Sequence, residues 1–120
     1  MTAPKRIQLF CKSGWRMPES AAKVDRSTIW GNPFTIDAAE EAGYHGADAE
    51  LRGLCADSFR RWLDGRFQPD LRPKSRAYIL SNVHQLRGKN LACWCPLDQP
   101  CHADVLLQLA NAPIEADHAK

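Results

Sequence analysis

A chain of 120 residues, 44% hydrophobic and 25% charged, has the composition of one soluble globular domain, large enough for one core and too short for two. A formal net charge of +2 is too small to argue for nucleic acid on its own, and no apolar run approaches the roughly 18 residues of a membrane span. Five cysteines, odd in number and unevenly clustered, do not make a disulfide framework; they suggest a cytosolic protein with reduced thiols.

In chain order, the first residues lack the apolar core of a signal peptide. Residues 5–11 alternate, with Ile7, Leu9 and Cys11 on one face, and predict a first strand. Ser13-Gly14 and Pro18 break the pattern, and residues 22–25 predict a second strand paired with the first. The run RSTIWGNPF follows. Gly31 and Asn32 tolerate left-handed geometry and Pro33 supplies no N–H, so it reads as a loop packed by Trp30 and Phe34. Asn32 would use its amide either to read a ligand or to tie down its own backbone. Residues 35–41 allow one or two helical turns.

The clearest helix spans residues 47–64, where Leu51, Leu54, Cys55, Ser58, Phe59, Trp62 and Leu63 recur at spacings of three and four. Cys55 on that stripe reads as a buried structural thiol. Ser75 would cap a further helix with Ile79, Leu80, Val83 and Leu86 inward, stopping at Gly88. A short strand over residues 77–80 is the alternative. His45 and His84 read as exposed. Acidic residues fill positions 37–50, whereas Arg60, Arg61, Arg66, Arg72, Lys74 and Arg76 crowd the next stretch. Lys5, Arg6, Lys12, Arg16, Lys23 and Arg26 add early positive charge, which would meet phosphates or only water.

The chemistry concentrates in LACWCPLDQPCHADVLLQLA, which holds Cys93, Cys95, Cys101 and His102. Residues 90–94 predict a strand ended by Pro96. The closing helix is expected to start at Pro100, capped by Asp98 or Gln99, and to bury Val105, Leu106 and Leu109. Cys101 and His102 would then lie in its first turn, where unpaired N–H groups favour a thiolate on Cys101, partly offset by Asp104. Three readings follow. The first is a reactive-thiol or anion site, with Cys101 as thiolate, His102 as acid or base and Cys95 across the loop. The second is a zinc site of Cys93, Cys95, Cys101 and His102, although adjacent ligands rarely bend onto one ion. The third makes all four structural.

The boxes WGNPF and CWCPLDQPCHAD, with FRRWL between them, resemble an uncharacterised family of small bacterial and phage proteins known only as a domain of unknown function. The resemblance covers most of residues 14–34 and 86–110. Arg26, Trp30, Gly31, Asn32, Pro33, Phe34, Cys95, Cys101, His102 and Asp104 match it, while Ile29 stands where that family commonly has Arg. No activity comes with the resemblance.

The expectation is one α/β domain over residues 1–112, ordered strand, strand, helix, helix, strand, helix, with helices over a small sheet and a frayed tail at 113–120. Its site would lie where the 95–101 loop meets the 30–34 loop, with Arg16 or Arg26 holding an anion and Trp30 and Asn32 beside it. The first function expected is a small intracellular enzyme, or the remnant of one, for a nucleotide or other phosphate-bearing ligand. The alternative is a non-enzymatic module that binds nucleic acid or protein, its cysteines structural or zinc-bound.

Overall fold

Three short strands, β1 (Arg6–Gln8), β2 (Ala21–Lys23) and β3 (Asn90–Cys93), build one parallel sheet in the order β1-β3-β2. The computed structural model describes residues 4–11 and 13–112; Lys12 and the tail expected to fray from residue 113 lie outside them. In register, Ile7 sits beside Ala92 and Ala22 beside Leu91. Beyond the strands, the Leu9 N–H donates to the Cys93 carbonyl and the Val24 N–H to the Ala92 carbonyl, both at 2.9 Å.

The expected pairing of the first two strands is corrected. Both run parallel to β3, which lies between them, so they never touch as a hairpin. A period of two marks a strand but carries neither its direction nor its neighbour. The first strand is also shorter than residues 5–11: Phe10 is 50% exposed and Cys11 is exposed.

Helix α1 (Ile36–Glu41) is brief, and the Thr35 hydroxyl caps it by accepting the Ala38 N–H at 3.0 Å. Helix α2 (Asp48–Leu63) buries Leu51, Cys55, Phe59, Trp62 and Leu63, the apolar stripe its sequence predicts. Helix α3 (Pro73–Asn82) starts earlier than expected. Pro73 with its preset φ begins it, Arg72 precedes it in a left-handed conformation (φ 45°), and Ser75 lies inside the first turn. The same residues exclude a strand at 77–80. Ile79 is fully buried, but Leu80, expected inward, is 45% exposed: neighbours on a helix face different ways, and Ile79 takes the inward one. A 3₁₀ turn, Val83–Leu86, leads into β3.

Helix α4 (His102–Ala110) begins two residues later than expected, with extended Cys101 as its N-cap in place of Asp98 or Gln99. The Asp104 carboxylate fixes that start by accepting the Cys101 N–H at 3.2 Å, as the third residue of a capping box does. The core joins Val24, Phe59, Trp62, Ile79, Leu91 and Leu106, contributed by the sheet and by α2, α3 and α4. Among the described residues no helix is long and apolar enough to cross a membrane.

Candidate functional site

Parallel strands end together, and their carboxyl ends are where open α/β sheets form ligand crevices. Here β2 runs out through Val24 into Asp25 and Arg26, and β3 through Cys93 into Trp94 and Cys95. A cavity of about 540 Å³ opens at these ends. Asp25, Arg26 and Asn32 line it from the β2 side, Cys93, Cys95, Cys101 and His102 form its floor, and α2 adds Arg52 and Cys55, the latter next to Asn32. The two sequence boxes therefore meet. Asn32 and Cys101 share this cavity.

The loop that carries Asn32 is tied down from several directions. The Asn32 amide donates to the Cys55 carbonyl at 3.0 Å, and its oxygen accepts the Phe34 N–H at 2.9 Å. The Arg26 guanidinium donates to the Asn32 and Phe34 carbonyls. Asn32 thus fixes backbone, the second of its two expected roles. Gly31 does not adopt positive φ as expected. It is required for another reason: a Cβ there would stand 2.7 Å from the Arg26 Cα.

The cysteine loop is held just as firmly. Arg6, its side chain only 7% exposed, donates through Nη2 to the carbonyls of Pro96, Leu97 and Gln99, and its Nε lies 3.6 Å from the Asp104 carboxylate. Asp104 holds the Cys101 N–H in turn. This clamp sets the turn that brings Cys101 back over the end of β3.

As a result the sulfurs of Cys93, Cys95 and Cys101 all lie within 4.8 Å of one another, with Cys93 and Cys95 at 3.9 Å. His102 does not join them. Its Nε2 donates to the Val24 carbonyl at 2.7 Å, which leaves Nδ1 as an acceptor 3.6 Å from the Cys101 sulfur. Burial pulls the His102 imidazole below its ordinary range, with the Val24 bond working against that, so the ring is neutral. Of the four residues expected around a metal, only the three thiols lie close enough together to hold one ion, and His102 stands apart.

The expected thiolate also moves. Cys101 is 3% exposed, and its thiol is raised: a hydrogen bond with Cys93 pulls it down, but Cys95 and burial together push it further up. Hydrogen bonds with Cys101 and Cys95, then burial, push the Cys93 thiol far up. Cys95 goes the other way. Hydrogen bonds from Cys101 and Cys93, with the Arg52 guanidinium beside it, hold its thiol well below the usual range. Of the three thiols, Cys95, the least buried, is the one whose ionised form its surroundings favour. Cys55, raised by burial, is the structural thiol expected.

Other expected site residues fall outside. Arg16 is exposed and does not line the cavity, Trp30 packs edge-on against Tyr78 with centroids 5.6 Å apart, and Asp104 acts through the Cys101 backbone. Sequence reasoning missed Arg52 and Arg6. Arg52 lies three residues before Cys55 on a helix whose apolar face is legible, which puts it at the same flank; Arg6 counted only as early positive charge, and nothing in the sequence pointed to the loop carbonyls it holds.

A family model described as a domain of unknown function, DUF4326, matches residues 7–112. No curated protein and no solved structure matches the chain.

Proposed function

The chain belongs to the DUF4326 family, a domain of unknown function, and we propose from its own site that it is a zinc-dependent binding and reaction centre for a small phosphate-bearing ligand. The observation that carries the reading is the trio of sulfurs, mutually within 4.8 Å, on the floor of a cavity. Three thiolates at zinc–sulfur distances of about 2.3 Å stand about 3.8 Å apart in a tetrahedron. The 3.9 Å between Cys93 and Cys95 fits that spacing. Three protein ligands with the fourth position facing a cavity is the arrangement of reactive zinc sites; structural ones are closed by a fourth side chain. Zinc there would act as a Lewis acid on an oxygen bound from the cavity. Arg26 and Arg52 on the walls supply positive charge for a phosphate. The five free thiols fit a reducing compartment such as the cytoplasm.

The test is metal content per chain on protein purified without chelator or added metal. About one zinc is expected, with Cys93, Cys95 and Cys101 protected from thiol reagents. Cys95→Ser should lose most of the metal, while Cys11→Ser, at an exposed thiol outside the cluster, should keep it. Metal-free protein with every thiol open to titration would sink the zinc reading.

A further inference from the structure

The polar side chains around the cavity are nearly all committed. Arg26 holds two loop carbonyls, Asn32 holds the Cys55 carbonyl and the Phe34 N–H, and His102 holds the Val24 carbonyl. Asp25 accepts from Trp94 at 2.7 Å and from the Ser27 hydroxyl at 2.5 Å, and Thr35 caps α1. Arg52 is only partly committed: its guanidinium stands beside the Cys95 sulfur and favours the ionised thiol by a hydrogen bond, while its Nε is buried and has no hydrogen-bond partner. A buried guanidinium N–H without an acceptor carries the desolvation penalty of a charged donor, which a bound anion would offset. Arg6 Nη1 and Gln99 Oε1 are likewise buried without a partner, but neither residue lines the cavity; at Arg52 the missing acceptor is one that water, an ion or a ligand entering the cavity would supply.

We propose that Arg52 is the residue that recognises the ligand's phosphate, its guanidinium taking phosphate oxygens in the cavity onto which the three thiols open. The assignment rests on the cavity reading above and gives the phosphate a specific acceptor. A guanidinium presents its N–H groups as a planar fork that matches phosphate oxygens, and it stays charged at any pH of interest. Its place on α2, next to buried Leu51 and three residues before buried Cys55, fixes the backbone from which the fork extends. Asp37, an exposed carboxylate, also borders the cavity, so an anion entering it must be held by Arg52 against that repulsion.

The experiment measures binding of inorganic phosphate by calorimetry to the full chain, with acetate as a second probe and metal content recorded on each sample. Phosphate should bind the wild type more tightly than acetate does. Arg52→Gln should weaken phosphate at least about tenfold, the loss expected for one charge-assisted contact. Arg52→Lys, a point charge without the fork, should recover part of that affinity. Unchanged phosphate affinity in Arg52→Gln, equal affinity for acetate, or no phosphate binding by the wild type would each overturn the assignment. A metal-free sample whose phosphate binding still depends on Arg52 would overturn zinc alone. A zinc-loaded sample that ignores phosphate would overturn Arg52 alone.

Discussion

Asp25 is 5% exposed and carries a charge at the end of β2. Burial by itself would raise its carboxyl, but hydrogen bonds from Ser27 and Trp94, with Lys23 3.9 Å away, bring it below the ordinary value. A depressed folded value means the ionised form is favoured by the fold. The associated stability is present above the unfolded value, about 3.9, and drains away as pH falls through the folded one. Asp25→Asn should therefore cost roughly 1–3 kcal/mol at pH 7, from the weakened Trp94 and Ser27 contacts. The gap between variant and wild type should narrow below about pH 4. Denaturant unfolding at pH 7 and pH 3 checks both parts, and a gap independent of pH would refute the charged-state account.

At the scale of elements, the site is two loops pinned to rigid neighbours. The 26–34 segment is closed on itself by Arg26 and attached to α2 through Asn32, and its tightest point is Gly31. Gly31→Ala would push a methyl against the Arg26 backbone, which cannot swing aside as a side chain would. A destabilisation of roughly 1–3 kcal/mol is expected, of the size that overpacking causes, seen as a lower thermal midpoint; an unchanged midpoint would mean the loop has slack. This segment also shows what sequence could carry. Gly-Asn-Pro between aromatics was enough to predict a packed loop, and Cys-Trp-Cys ahead of Pro-Cys-His was enough to predict a strand-to-helix junction there. The reasons were less legible. Left-handed geometry was the expected use of Gly31, whereas the actual one is contact with a residue five positions earlier. The thiolate was expected on Cys101 from the helix field alone, because the guanidinium that favours Cys95 comes from α2, more than forty residues upstream in sequence. Long-range partners set a charge, and a single sequence shows residue types without them.

For the whole molecule, the elements foreseen are present and the topology is the part that was not. Alternation and helical periodicity are local properties, so they located strands and helices; the insertion of β3 between β1 and β2 is a property of the closed sheet. Metal would bear on this scale too. A zinc ion held by Cys93, Cys95 and Cys101 ties the end of the central strand to the start of α4, two elements of one core. Binding to the folded state alone raises stability by about 2.7 kcal/mol when free metal exceeds its dissociation constant a hundredfold. Chelation should therefore lower the unfolding midpoint of zinc-loaded wild type and leave Cys95→Ser, already without metal, where it was. Identical curves with and without chelator would show that the metal contributes nothing to the fold.

The placement of β3 also bears on the order in which the molecule is made. A ribosome releases β1 and β2 first, yet neither has a partner in the sheet until Asn90–Cys93 emerges. Until then the nascent chain can prepare α2 and α3 from local contacts, while both outer strands wait with unpaired edges. Arrival of the central strand, and of α4 close behind it, pairs both edges, brings Cys93 and Cys101 together and seals the core around Leu91 and Leu106. Birth of the sheet and birth of the thiol cluster are thus one late event, and a ribosome stalled before residue 90 would carry helices without a site.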